Sequence, residues 1–239
     1  MQKQFTSSVI YYLQEGKENL RQTIEIAIDA ARAHRIETLV IFTSQGDGVR
    51  LAHDLIKDGG GIDLVAVTFP QGMTFLDDKG EPFTSEISPE HRQMFADENI
   101  PLVRAHLPFA PIPPYFKDRG VLANDLSLVE NALSIFGGSM GLCVQSVLMA
   151  CDAGAIPIGE HVIACTSDTA ILARATCTTR LLRDFIVREI LCKPAIFDIG
   201  KKERSQALSA EHPQEIAGEV KALPSEGQQA PQQKLNQER

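Results

Sequence analysis

Leu39-Val40-Ile41-Phe42-Thr43-Ser44-Gln45-Gly46-Asp47-Gly48-Val49-Arg50 is an apolar run that stops abruptly in a small polar turn. Leu39 to Phe42 are apolar without alternation, the pattern of a strand covered on both faces. Beyond the turn, Val49, Leu51, Ala52, Leu55 and Ile56 recur at helical spacing. Strand, tight loop and helix in this order belong to an open α/β sheet, with the loop at the carboxyl edge of the strands. There the free N–H groups and positive dipole end of the helix favour an anion, and phosphate is the natural one. The hydroxyls of Thr43 and Ser44 suit phosphate oxygens, and Gly46 and Gly48 let the backbone approach closely or take positive φ. Asp47 lies between those glycines. The loop has no lysine, and its spacing is that of neither a Walker loop nor a dinucleotide fingerprint. A plain strand-to-helix turn, with Thr43 or Ser44 capping the helix, accounts for the same residues.

The same alternation continues on both sides. Val9 to Leu13 predicts a short strand, and Leu20, Ile24, Ala27, Ile28 and Ala31 predict a helix from about Glu18 to His34. Asp58-Gly59-Gly60-Gly61 stops the next helix, and Ile62 to Phe69 reads as a second buried strand ending in Thr68. Met73 to Pro89 is polar and turn-rich, long for a connector, and reads as a lid or an excursion. Ser88-Pro89-Glu90 opens a helix to about Asn99, and a strand from Pro101 to Ala105 leads into His106. A stiff irregular segment from Pro108 to Pro114 follows. A helix from Ala123 to Phe136 is expected to turn Leu126, Val129, Leu133 and Phe136 inward. Met140 to Ala153 is apolar nearly all round, with Gln145 and Asp152 as interruptions, and predicts a buried helix. His161 to Thr166 is a further strand ending in a second Thr-Ser pair, Thr166-Ser167, before Asp168-Thr169; Ala170 to Thr176 and Phe185 to Cys192 are the last strands. The fold class expected is three-layer α/β/α around a mostly parallel sheet. The domain runs over residues 1–199, with a disordered polar tail over 200–239. If both Thr-Ser loops lie on one sheet edge, they could share a ligand.

At 239 residues with 44% hydrophobic content, one domain with a full core is the economical reading. A formal net charge of −8 supplies no basic footprint for nucleic acid or an anionic membrane surface. No apolar run approaches the ~18 residues of a membrane span, and the amino terminus lacks a signal-peptide pattern, so a cytoplasmic protein is expected. The 5 cysteines include no CxxC pair, which argues against a disulfide framework or a structural zinc. Four read as small core residues; Cys165 is kept open because it borders a polar loop.

Several of these segments resemble one family, the stand-alone archaeal and bacterial proteins similar to the carboxy-terminal α/β domain of pyruvate kinase. The resemblance spans about Val9 to Pro194. It rests on Glu15-Gly16-Lys17-Glu18-Asn19, on Thr43 to Gly48, and on Phe136-Gly137-Gly138 through Ala153-Gly154-Ala155-Ile156-Pro157. Asp168-Thr169-Ala170 and Glu189 to Pro194 complete it. It implies a pyruvate kinase C-terminal-domain-like fold without the catalytic barrel, so pyruvate kinase activity is not expected. Some pyruvate kinases bind a phosphorylated sugar through a loop like Thr43 to Gly48, and structures of the stand-alone family hold flavin mononucleotide (FMN). Two positions depart from the family pattern. Ile163 to Ala170 is short and glycine-free where the family is glycine-rich, which removes backbone N–H groups, and Gln145 stands where the family tends to have glutamate.

Binding of a phosphorylated small molecule, FMN first, is the function expected. Thr43, Ser44, Gly46, Asp47 and Gly48 would hold the phosphate, while Thr68, His106, Thr166, Ser167, Asp168 and Thr169 line the remainder. A flavin-dependent enzyme and a regulatory or assembly module, a homo-oligomer, are the alternatives. No Ser-His-Asp elbow or carboxylate pair in distinct environments is recognisable, so whether a reaction occurs is left open. His106 also reads as a strand-end histidine bonded to backbone, Asp168 as a turn cap, and Lys17 and Asn19 by default as solvated side chains.

Overall fold

The computed structural model describes residues 6–57, 59–76, 80–110 and 125–195. The expected tail, residues 111–114 of the proline-rich segment and the start of the helix expected from Ala123 lie outside them. In chain order the elements are β1 (Ile10–Tyr12), α1 (Leu20–His34), β2 (Thr38–Phe42), α2 (Asp47–Ile56), β3 (Asp63–Thr68) and the short strands β4 (Thr74–Leu76) and β5 (Pro82–Thr84). Then follow α3 (Pro89–Asp97), β6 (Leu102–Arg104), α4 (Asp125–Ser134), α5 (Met140–Asp152), β7 (His161–Cys165), β8 (Ala170–Arg174), α6 (Leu181–Asp184) and β9 (Ile186–Pro194).

Seven strands form one sheet in the order β1, β9, β8, β7, β2, β3, β6. The sheet is mostly parallel: β1 with β9, β7 with β2, β2 with β3, and β3 with β6 all pair in parallel, and β8 alone runs against its two neighbours. The reason for the reversal is local. Thr166 to Thr169 is all that joins β7 to β8, far short of the dozen residues a parallel crossover needs, and Thr166 N–H donates to Thr169 C=O at 2.9 Å to close a hairpin.

Successive side chains of each central strand feed opposite cores, which is why their sequences are apolar without alternation. On β2, Leu39 and Ile41 pack with Ile24, Ala27, Val49 and Ala52 of α1 and α2, and with Phe95 of α3. Val40 and Phe42 pack on the other face with Met140, Val144 and Leu148 of α5. Three layers result, as the alternation predicts. Residues 73–89 are not a structureless excursion: β4 and β5 form an antiparallel two-stranded sheet across Thr74 to Thr84. Phe136, expected inward, is 45% exposed, because its helix stops at Ser134 and Phe136 lies in the following turn. Among the described residues no helix is long and apolar enough to cross a membrane.

Candidate functional site

Because β2 and β7 are parallel neighbours, their carboxyl ends release the two Thr-Ser loops side by side. Between them lies a cavity of about 160 Å³ lined by Lys17, Thr43, Ser44, Asp47, Gly48, Ser139, Thr166 and Ser167, with Leu20, Phe42, Phe69 and Leu142 as its apolar walls. Both Thr-Ser loops thus lie on one sheet edge, which the sequence analysis leaves as a condition.

Three helices begin at this cavity: α1 behind Lys17, α2 at Asp47 and α5 behind Ser139. None has a side-chain cap. Helix α3, which starts away from the cavity, is capped in the ordinary way, with Ser88 Oγ accepting from His91 N–H at 3.1 Å and Pro89 in its first turn. The first-turn N–H groups of α2 and α5 thus stay available at the cavity, along with the positive ends of the dipoles. The side-chain donors divide by residue type. The hydroxyls of Ser44, Ser139 and Ser167 and the Lys17 ammonium have no hydrogen-bond or ion-pair partner among the described residues. The threonines are engaged within their own loops: Thr43 Oγ1 accepts from Gly46 N–H at 3.0 Å, and Thr166 Oγ1 accepts from Asp168 N–H at 3.4 Å. Asp47 is the one carboxylate on the rim, 59% exposed and 4.0 Å from His91 Nε2.

Asp168 and Thr169 are structural. The Asp168 carboxylate, 4% exposed, accepts from Gly16 N–H at 3.0 Å and from Thr169 Oγ1 at 3.0 Å. Thr169 Oγ1 in turn accepts from Ser139 N–H at 3.0 Å, so these two residues fasten the Gly16 turn and the head of α5 to the β7–β8 hairpin. Of the two readings of Asp168, the turn cap is the one the geometry bears, and it acts on the site by placing Lys17, one residue past Gly16. A buried relay supports the same corner: Tyr12 OH lies 2.9 Å from Thr23 Oγ1, which donates to Ser167 C=O at 3.2 Å, and burial raises the Tyr12 phenol far above its ordinary value.

Thr68 and His106 do not join the cavity. Thr68 is fully buried at the end of β3, with its hydroxyl unpartnered among the described residues. His106 is exposed beyond β6, the edge strand, where its Nε2 donates to Ala110 C=O at 3.2 Å. One strand separates β6 from β2, which at ~4.8 Å per strand leaves His106 about 10 Å off. Gly46 also differs from expectation. It has φ 107°, and a Cβ there would sit 2.6 Å from the His91 ring, so its missing side chain admits α3 rather than a ligand. Gly48 is tight for a similar reason, with Ile41 at 3.3 Å and Leu20 at 3.4 Å from a Cβ placed there. Cys165 is fully buried, and burial pushes its thiol up, away from any nucleophilic role. Lys17 and Ser139 are the site residues that sequence reasoning undervalued. The signal for Lys17 was its place after β1, whose carboxyl end shares the sheet edge; for Ser139 it was a serine directly before a buried helix.

Gln145 is buried in α5, where its Oε1 accepts from Phe109 N–H at 2.8 Å and its Nε2 has no partner among the described residues. A carboxylate at this position would be desolvated, with no cation paired to it among the described residues. The expected result for Gln145→Glu is a protein destabilised at pH 7 by about 2 kcal/mol. Burial raises the folded-state pKa of the new glutamate above its unfolded ~4.3, so stability is retained below that value and lost as pH rises through the folded pKa. Thermal melts of this variant from pH 4 to 8 check the sign; a melting temperature as flat as the parent's refutes it.

A larger cavity of about 450 Å³ lies at the opposite, amino end of the strands. Its rim carries Asp63, Glu98 and Glu160, and α2, α3 and α5 finish there, so both the fixed charges and the helix dipoles disfavour an anion.

No family model matches the chain. Part of it is similar in structure to a pyruvate kinase. That solved structure, the enzyme from Cryptosporidium parvum, is 13% identical and aligns with a TM-score of 0.32 over 66% of this chain. The aligned part amounts to 22% of the pyruvate kinase chain.

Proposed function

We propose that the cavity at the carboxyl edge of β2 and β7 binds the phosphate group of a phosphorylated small molecule in a cytoplasmic protein without pyruvate kinase activity. The observation that carries this reading is the convergence of two helix starts lacking side-chain caps, those of α2 and α5, on one cavity that also holds Lys17 and three serine hydroxyls unpartnered among the described residues. Each contact supplies donors to an anion, and together they offer more donors than a structural turn uses. The pyruvate kinase C-terminal-domain-like reading of the sequence agrees with this placement, since its phosphate loop corresponds to Thr43 to Gly48.

FMN is the first ester to test. The cavity's volume of about 160 Å³ is near half the lower limit of ordinary ligand sites, ~300–1,000 Å³, so the phosphate occupies it and the flavin ring lies outside. Titrating inorganic phosphate and FMN into the protein and its Lys17→Met variant, by calorimetry, tests the site. Loss of the single cation is expected to weaken both ligands about tenfold or more, the worth of one charge-assisted hydrogen bond, with an unchanged melting temperature because Lys17 is exposed. Equal affinities for parent and variant would overturn the assignment.

A further inference from the structure

Resting on the phosphate reading above, we infer that His91 is a proton-operated switch for the same cavity: protonating its imidazole neutralises Asp47 and tightens anion binding. Asp47 is the carboxylate of the lining, at the first residue of α2, so its free ionised form opposes the anion that the helix start attracts. His91 of α3 stands behind it, with a side chain only 8% exposed and Nε2 4.0 Å from Asp47 Oδ1. The other ring nitrogen fixes the tautomer. Nδ1 lies 2.9 Å from Gln45 C=O, and a carbonyl only accepts, so Nδ1 carries the hydrogen. In the neutral ring Nε2 is therefore a bare acceptor beside a carboxylate, and the two have no hydrogen to share. A proton added at Nε2 turns it into a donor, and the exposed Asp47 side chain is free to close the gap to a charge-assisted hydrogen bond.

The neighbouring charges leave this pair to itself. Arg50 of α2 pairs with Glu90 at 3.9 Å, Arg92 of α3 with Glu86 at 3.7 Å, and Glu86 also with Arg104 of β6 at 2.8 Å. The loop after β2 presents the Gln45 carbonyl and Gly46 to the ring, and α3 presents Phe95, stacked at 6.4 Å; none of these titrates. Among the described residues Asp47 is thus the charged group that faces Nε2, and no histidine stands in the cavity lining itself. Histidine side chains ordinarily change charge between about pH 5 and 8, which is the range where the switch operates.

Calorimetric titration of the full chain with sulfate tests this, because sulfate keeps its charge over that range whereas phosphate titrates within it. Affinity is expected to rise about tenfold from about pH 8 to about pH 5.5, the effect of cancelling one solvent-screened carboxylate at the rim. Midway through the range, binding should draw a proton from the buffer, read as a heat that varies with the buffer's ionisation enthalpy. Asp47→Asn is expected to bind sulfate at the higher pH as tightly as the parent does at the lower, with no dependence on pH or buffer. His91→Gln is expected to keep the parent's weaker, high-pH affinity throughout; Asp47→Asn, at an exposed position, decides the question however His91→Gln folds. The same pH profile in the parent and Asp47→Asn overturns the switch and leaves the anion site standing. Failure of both proteins to bind sulfate at either pH overturns both.

Discussion

Gly46→Ala is expected to lower the urea midpoint of unfolding by an amount equivalent to about 3 kcal/mol. Two costs combine. At φ 107° and ψ −12° the residue lies outside the space an L side chain occupies without strain, worth about 1–3 kcal/mol. The new methyl also lands 2.6 Å from Nδ1 and 2.8 Å from Cβ of His91, so the imidazole must leave. When it does, it forfeits its 2.9 Å contact to Gln45 C=O and its stacking on Phe95, and these hold α3 against the loop after β2. Gly60→Ala supplies the control, because Gly60 also has positive φ, 52°, but a Cβ there meets nothing within 4 Å. That variant should lose only about 1 kcal/mol. Equal losses for the two would assign the whole effect to backbone conformation and none to the approach of α3.

Ser44→Glu is expected to weaken phosphate-ester binding about a hundredfold with little change in stability. Ser44 is half-buried at the cavity, its hydroxyl is unpartnered among the described residues, and its carbonyl accepts from Ser85 Oγ at 3.2 Å, a bond that survives the change. A carboxylate there faces the incoming anion at close range. At an effective dielectric near 20 the repulsion is about 4 kcal/mol at 4 Å, and partial exposure reduces it to about 2–3 kcal/mol. The same carboxylate can also pair with Lys17 and cancel the cavity's one cation. Ser44→Ala, which removes a single neutral hydrogen bond, should cost only a few-fold. Calorimetry on the three proteins reads the series; an unchanged affinity in Ser44→Glu places the ligand elsewhere.

Much of the α/β architecture was legible because burial leaves a direct imprint on residue type. The unbroken apolar runs at Leu39 to Phe42 and Leu64 to Val67 mark strands covered on both sides, and the 3.6-residue stripe from Leu20 to Ala31 marks a helix covered on one. The strand order was not legible. A side-chain period reports whether a face is buried, and not which strand lies beside it, so the reversal of β8 could be read only from the four-residue link before it. The site divides in the same way. Loop composition located Thr43 to Gly48 and Thr166 to Thr169 at strand ends, yet it could not distinguish a hydroxyl aimed at a ligand from one that holds its own turn.

The sequence by itself therefore determined the layers, the buried strands, the buried helix α5 and the presence of polar loops where strands end. These follow from local patterns of apolar and small residues acting through burial and backbone preference. Tertiary structure alone decided the strand order, the pairing of the two Thr-Ser loops, the withdrawal of Thr68 and His106, and the arrival of Lys17 and Ser139. Those outcomes depend on partners far apart in the chain, such as Gly16 N–H and the Asp168 carboxylate, 152 residues away. A polar atom's role is set by whichever group the fold brings within 3 Å of it, and residue type does not encode that distance.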